Sequence, residues 1–530
     1  MGLDAVLKKG TEEVRTKDAV TRNIASTGQT IGLMFANCLG PRGADILVSD
    51  EKGDTFYGHD ALTVLKAIRN SMSHPVARFI HEAVKTIDEN VGDGGKRFCI
   101  LLGNALKTAE RLKDEGVRPA NIVTGYSEAI RRCLETLDEI SVRVDHSYVP
   151  RVVDTVLSRL PLIPDERNVL TSLVSETVRH VQGDAGGTLD IHNIRIKNKL
   201  GGDVSSSFLV KGFIVDKMWP GHLQMPRYIE KPKIAILTSP IEMKKSSLKY
   251  AYTVVANDFQ RLKHVIDDVS RMYVEAARKL YEIGADVVIA QKELHDQVLA
   301  ELAKLGIMSA YRFEEKDIEF MSRATGAKPI HNVTNIRAED LGEAQVAKQI
   351  KIGGENWMVV DGCKNSCACT IVLRSNSFKS LKMYEKGVEK SLKVVKSFIE
   401  DPRVVPGGGA TEMALATILR RRPNTLLGQC SSVVQYFADC LEKIPFQLAV
   451  NSGKDALETI ASLRSMHMNG KHRYGVGMDG GVTDMVAAGV VEPVRVVRTV
   501  LSTLRETLVQ LIRIDNVVIS KQIKGNVGTR

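Results

Sequence analysis

The sequence predicts a multidomain α/β protein. A helical body is built from both ends of the chain, and an α/β block is inserted between them. Three observations carry this. The chain has 530 residues, more than one ordinary core holds and enough for about three domains. Apolar residues recur at helical spacing near both ends. In the middle, short runs rich in Val and Ile alternate with amphipathic helices, the pattern of an α/β unit. Hydrophobic residues make up 43% of the chain, enough for large cores and too many for a disordered polymer.

The N-terminal block reads as helices. Ile24, Ile31, Met34 and Phe35 fall at helical spacing between Asp18 and Cys38, and Gly40-Pro41 ends the run. Asp45 to Ser49 reads as a short strand. Helices follow from Ala61, over Val76 to Ile87, from Phe98 to Asp114 and from Asn121 to Ile140. Beyond Asp145 the pattern is more broken, with helices over Val152–Leu157 and Pro164–Val181 and a strand over Thr188–Ile196. Gly201-Gly202 reads as a boundary, because paired glycines rarely sit inside an element.

The middle block alternates. Phe213-Ile214-Val215, Lys233–Thr238 and Asp286–Ala290 read as strands. Between them Phe259, Leu262, Ile266, Val269, Tyr273, Ala276 and Leu280 form one stripe of a long helix from Asn257 to Ile283. Asn257 and Gln260 suit its N-terminus and Gly284 its C-terminus. Leu294–Leu305 is the next helix, and the block ends near Asp361. Helices then return over Leu381–Asp401, Ala410–Arg421, Gln429–Leu448 and Val494–Ile512.

Composition narrows the function. No run approaches the roughly 18 apolar residues of a membrane span. The N-terminal residues show no basic segment followed by an apolar one, so the expectation is a soluble, cytoplasmic protein. The net charge is +10, but Lys and Arg are interspersed with acids, so nucleic acid is not the expected partner. Lys244-Lys245 and Arg420-Arg421-Arg422 read as solvated faces or subunit contacts. Cys363, Cys367 and Cys369 lack a second Cys/His pair at zinc spacing and read as buried thiols in a strand over Cys367–Leu373.

The stretch richest in chemistry is Val91-Gly92-Asp93-Gly94-Gly95-Lys96-Arg97, set before a helix. Glycines let backbone approach a ligand, a helix N-terminus attracts phosphate, and an acid there can hold magnesium. Taken alone, it also reads as an ordinary glycine-rich turn. Two lookalikes are set aside. Gly475-Val476-Gly477-Met478-Asp479-Gly480 has neither the preceding strand nor the following helix of a dinucleotide fingerprint, and Gly94-Gly95-Lys96-Arg97 lacks the first Gly and the hydroxyl of a P-loop.

Four further segments accompany the loop: Leu39-Gly40-Pro41-Arg42-Gly43, Gly58-His59-Asp60-Ala61, Pro406-Gly407-Gly408-Gly409-Ala410-Thr411-Glu412, and Asp484-Met485 with Gly489-Val490-Val491-Glu492-Pro493. Together with Phe320-Met321-Ser322-Arg323-Ala324-Thr325-Gly326-Ala327 and Asp340-Leu341-Gly342, their order and spacing resemble group II chaperonins, the archaeal thermosome and its eukaryotic cytosolic relatives. The resemblance runs from about Thr11 to Gln522. It implies a chaperonin fold. A mainly helical equatorial domain would comprise 1–142 and 402–530, and a small α/β intermediate domain 143–202 and 363–401. An α/β apical domain would comprise 203–362, with a helical protrusion within about 241–272 that includes Met243, Leu248, Tyr250 and Tyr252.

The resemblance also implies ATP and Mg2+ as cofactors. Leu39, Gly40 and Pro41 match the loop over the phosphates, with Gly92, Gly94, Gly95, Lys96 and Arg97 in the second phosphate loop. Asp93 matches the magnesium acid, Gly408 and Gly409 the glycines near the ribose, and Asp484 and Glu492 the segment closing the base pocket. Asp60 matches the acid that positions the attacking water. Implied partners are homologous chaperonin subunits in double rings of about eight or nine per ring, with unfolded protein clients.

Several positions depart from the family pattern. Three threonines after Gly94 are replaced by Gly95-Lys96-Arg97, and the Asn and Gly around Asp60 by His59 and Ala61. Cations in the first helical turn oppose the dipole unless an anion is bound. The catalytic Asp, sixteen residues after the position of Arg374, is Lys390. An ammonium has no acceptor with which to orient water, though it can attract a phosphate as a point charge. Its neighbour Glu389 lies about 100° round the helix. The family's Ser-Lys fits Ser158-Arg159-Leu160 only with a one-residue slip. The sequence therefore reads as a chaperonin subunit that binds nucleotide and hydrolyses it slowly or not at all. The alternative is a scaffold subunit that forms rings or filaments without a folding cycle.

Overall fold

The structure is a computed structural model. It describes residues 11–14, 17–49, 55–68, 75–183, 187–216, 224–241, 259–363, 368–421 and 428–520. The expected protrusion residues Met243, Leu248, Tyr250 and Tyr252, together with Lys244, Lys245, Cys367 and Arg422, lie outside them. The chain is a mixed helix and strand protein of two compact units. One comprises Met1–Thr171 with Lys386–Arg530, the other Ser172–Glu385.

The first unit is mainly helical and contains both ends of the chain. Its central helix, Gly95–Asp114, buries Phe98, Cys99, Ile100, Leu101, Leu102, Ala105 and Leu106. A helix buried nearly all round needs partners on every side. Lys17–Ala36 crosses it closely: a Cβ at Gly103 would lie 2.6 Å from Gly28 O, and one at Gly32 2.9 Å from Cys99 O. Pro75–Val91, Pro119–Ile140, Gln429–Asn451 and Val494–Ile512 complete the packing. A small sheet ties distant segments together, with Arg403–Pro406 antiparallel to both Val491–Pro493 and Val142–Arg143.

Among the described residues the second unit holds three sheets. In the first, Val287–Ala290 lies between Met308–Tyr311 and Lys233–Leu237, all parallel. Their residues are buried almost without exception, as strands covered on both faces must be. The antiparallel second sheet runs Gly212–Val215, Glu355–Asp361, Val346–Ile352, Tyr228–Glu230. In the third, Cys369–Ser375 pairs parallel with Ile194–Leu200 and antiparallel with Phe208–Val210.

Helix positions follow the apolar periodicity to within a few residues. The strand expected over Thr188–Ile196 instead runs Ile194–Leu200, after a single 3-10 turn at Ile191–Asn193 that Asp190 caps by accepting from His192 N. Gly201 and Gly202, read as a boundary, form a left-handed turn inside the second unit at φ +88° and +96°. Paired glycines answer a torsion need there. The expected boundaries at 142/143 and 401/402 fall inside the first unit, and those at 202/203 and 362/363 inside the second. Arg420, read as solvent-facing, pairs with Glu442 and Asp439, and Arg421 donates to the Met468 carbonyl. Cys363 and Cys369 are buried thiols, and burial pushes both up to about 12.

Because the second unit has its own core, a fragment spanning 187–376 is expected to fold alone. Its circular dichroism should show one cooperative thermal transition. A non-cooperative melt would contradict a self-sufficient core.

Candidate functional site

The glycine-rich loop is the turn between two helices. Pro75–Val91 stops where Gly92 takes φ +76°, and Gly94, at φ +101°, caps Gly95–Asp114. A Cβ at Gly94 would lie 2.4 Å from Val500 Cγ2, so torsion and space both require glycine. A cavity of about 420 Å³ lies against this turn. Its lining includes Leu39, Gly40, Pro41, Asp93, Gly94, Lys96, Arg97, Gly408, Gly409 and Glu492. Segments as distant in sequence as Leu39 and Glu492 are thus brought to one place.

The remaining expected residues lie elsewhere. Asp60, Gly95 and Lys390 surround a small void of about 10 Å³ that shares Asp93 and Lys96 with the cavity. Lys390 is therefore not positioned as a free charge in the main cavity. Gly92 lines neither space; a Cβ there would meet Lys393 Cβ at 2.5 Å, so it seats the loop on the long helix Phe378–Glu400. Asp484 fixes a turn, its Oδ1 accepting from Val486 N at 3.0 Å and Ala487 N at 3.1 Å. Its neighbours Thr483 and Met485 line the cavity instead.

Three acids of the expected site are each held by a cation of the chain itself. Lys390 Nζ pairs with Asp60 Oδ1. Arg159 Nη1 donates to Asp93 Oδ1 at 3.1 Å. Arg97 Nη2 donates to both Glu492 oxygens, at 2.8 and 2.6 Å. Asp60 is engaged on its other oxygen too, since Oδ2 accepts from Thr63 N at 3.0 Å and from Thr63 Oγ1 at 2.5 Å as the N-cap of Ala61–Ala67. Glu389, the neighbouring acid, turns outward and binds Lys386 Nζ at 2.5 Å.

Burial alone would raise the Asp60 and Asp93 carboxyls. For Asp60 the Lys390 ammonium and the Thr63 hydrogen bonds outweigh burial and hold it well below the usual carboxylate range. For Asp93 the Arg159 guanidinium, then Lys390, do the same. The two acids keep Lys390 protonated against its own burial. Lys96 is treated otherwise. Burial, then the repulsion of Arg159, pushes it down to about 7, although Asp93 opposes this. Its Nζ donates to Cys38 O at 2.7 Å. Burial and Lys96 push His59 down to about 4, so its ring is neutral at pH 7, beside Asp45 Oδ1 at 2.9 Å.

The structure adds residues that the sequence reading left without a role. Glu412 is buried and pairs with Arg97 Nε at 2.8 Å. Lys393 Nζ donates to Asp88 Oδ2 at 2.6 Å, beside Lys390. Asp154, Thr155 and Arg167 line the cavity from the helices that follow Asp145. The segment set aside as a dinucleotide lookalike belongs to the site. Tyr474–Val476 is a strand after all, pairing with Val482–Asp484, and Val476, Gly477, Met478 and Asp479 line the cavity. No helix begins there, so the fingerprint reading stays excluded while the hairpin itself is a wall.

Two departures compensate for each other sterically. A Cβ on Gly95 would lie 3.1 Å from Val84 Cγ1 and 3.2 Å from the Ala61 Cβ. The methyl of Ala61 thus takes the space a side chain at position 95 would use.

Lys96 gives a pH-dependent prediction. Its folded pKa is below the unfolded value of about 10.4, so between about pH 7 and that value the unfolded chain binds more protons and stability rises with pH. Lys96→Met removes this contribution. Its thermal midpoint should exceed that of the unsubstituted chain at pH 7, with the gap narrowing steadily toward pH 9. A gap independent of pH would contradict the assignment.

Residues 31–522 match the TCP-1/cpn60 chaperonin family. A thermosome subunit of Methanopyrus kandleri is 34% identical over 526 residues, covering 98% of this chain and 95% of that protein. The thermosome subunit alpha of Aeropyrum pernix is 33% identical over 522 residues, covering 97% and 93%. The thermosome subunit alpha of Archaeoglobus fulgidus is 34% identical over 530 residues, covering 99% and 96%. A match over nearly the whole chain shows that the protein belongs to the TCP-1/cpn60 chaperonin family, among its group II, thermosome-type members.

Proposed function

We propose that the chain is a group II chaperonin subunit that keeps a nucleotide cavity and has lost efficient hydrolysis. The observation that carries this is the pairing of Asp60 with Lys390. The family places a catalytic acid at position 390, and a second acid at 60 to position water. Here the first is an ammonium, and it occupies the second. A water-orienting base contributes on the order of 10²–10⁴ in rate, so its replacement by a cation is enough to stop effective turnover.

Retained binding has its own support. The cavity combines apolar walls from Ile444, Leu448, Val476, Met478 and Met485 with close backbone at Gly40, Gly408 and Gly409. Apolar walls with a few convergent polar groups suit a nucleotide. The residues fit the nucleotide but not a magnesium ion. A magnesium ion beside a nucleotide relies on one or two carboxylates, and Asp93 and Asp60 are already paired with Arg159 and Lys390.

In this reading residues 1–142 and 402–530 act as the equatorial domain, 143–202 and 363–401 as the intermediate domain, and 203–362 as the apical domain. The subunit joins homologous subunits in a cytoplasmic ring and meets unfolded clients there. Among the described residues no helix is long and apolar enough to cross a membrane. A second reading, a scaffold that assembles without a folding cycle, is favoured by the same three ion pairs, because a site neutralised from within holds its shape without a ligand.

The isolated chain is expected to hydrolyse ATP at least about a hundredfold more slowly than an active thermosome subunit. Lys390→Asp should raise turnover. Adding Gly95→Thr should help only together with Ala61→Gly, since a threonine side chain there, against Ala61 and Val84, overpacks the site by about 1–3 kcal/mol. Single-turnover assays with thermal melts of each variant decide this. Normal thermosome-level turnover by the unsubstituted chain would refute the reading.

A further inference from the structure

The cations lining the cavity use only part of their donor capacity on the protein. Lys96 has three N–H groups and gives one to Cys38 O at 2.7 Å. Arg159 uses Nη1 for Asp93. Arg97 uses Nε and Nη2 for Glu412 and Glu492, while its buried Nη1 has no hydrogen-bond partner among the described residues. A guanidinium carries five N–H donors, and a buried donor without an acceptor is unfavourable. All three side chains line the same cavity; Arg97 Nη1 is itself closed off from solvent, while Lys96 and Arg159 keep N–H groups that a ligand there can take.

A divalent cation meets the opposite environment. The Asp93 carboxylate that would hold it is in contact with Arg159, and Lys96 and Lys390 line the void next to it. Asp60 is held by Lys390 on one oxygen and Thr63 on the other. A metal ion entering here would displace an internal cation and face two more.

We propose that the chain's own cations replace the divalent ion, so that the cavity takes a nucleoside polyphosphate in its metal-free form and magnesium opposes binding. The inference rests on the nucleotide reading above. Lys96 and Arg159 donate to the phosphate oxygens, and Arg159 does so while still bound to Asp93, while Arg97 stays with Glu412 and Glu492. Complexation by magnesium removes two negative charges from the ligand and occupies the oxygens these donors need. Free and complexed nucleotide thus reverse their usual order.

Calorimetric titration of the purified full chain with ATP, in excess EDTA and in excess MgCl2, tests this. Binding is expected to be about tenfold or more weaker in MgCl2, about 1.4 kcal/mol. Inorganic triphosphate is expected to show the same order, which would place recognition on the phosphates. Arg159→Ala frees Asp93 and should shift the preference toward the magnesium complex. Equal or tighter binding in MgCl2 by the unsubstituted chain overturns the inference while leaving the nucleotide reading intact. An Arg159→Ala preference identical to that of the parent chain overturns the bridging role of Arg159. Absence of binding in both media overturns the nucleotide reading itself.

Discussion

A lysine ammonium with little access to water needs a carboxylate, and Lys390 has Asp60. Much of the site's arrangement follows from this constraint. The charge arrives on the long helix Phe378–Glu400 and meets the acid at position 60 as an attractive pair. Asp60 is then fixed as both ion-pair partner and N-cap of Ala61–Ala67. Asp93 takes Arg159. Glu492 and Glu412 take Arg97. Each pairing makes the next tolerable, because buried charge persists only where opposite charge and hydrogen bonds meet it.

The substitutions therefore read as a set. Lys390 without Asp60 would keep only more distant acids, Asp88 at 4.0 Å among them, and Arg97 without two glutamates would be a poor choice for the first turn of a helix. Ala61 and Gly95 exchange volume: a Cβ on Gly95 would lie 3.2 Å from the Ala61 Cβ. Lys96 is the member least satisfied by the protein: its ammonium donates to a backbone carbonyl, and Arg159 repels it. An anion from solution would give that ammonium the partner Arg159 denies it.

Much of this was legible in the sequence. The helices of the first unit follow from apolar periodicity, and the glycine-bearing segments announced which parts of the chain share a site. The departures at Gly95, Lys96, Arg97 and Lys390 were visible as departures. Their partners were not. Arg159 and Asp93 are separated by 66 positions, and Arg97 and Glu492 by 395, and no periodicity encodes such pairings. Ser158-Arg159 looks like a defective motif until its guanidinium is placed against Asp93. The Gly475–Gly480 stretch reads as a lookalike because strands of three residues, such as Tyr474–Val476, carry too little pattern to be recognised. Gly201-Gly202 marks a left-handed turn, a torsion need that glycine meets.

The central claim is that Lys390 and Asp60 stabilise the fold as a pair. A double-mutant cycle measures this directly. Asp60→Asn keeps the helix cap, since Asn caps as well as Asp, and Lys390→Met keeps most of the side-chain volume. Each single substitution strands one charge and is expected to cost about 3 kcal/mol in denaturant unfolding. The double substitution should cost clearly less than the sum, with a coupling energy of about 2 kcal/mol or more. Costs that add to within about 0.5 kcal/mol would mean that the two groups do not depend on each other, and the account built on their pairing would fail.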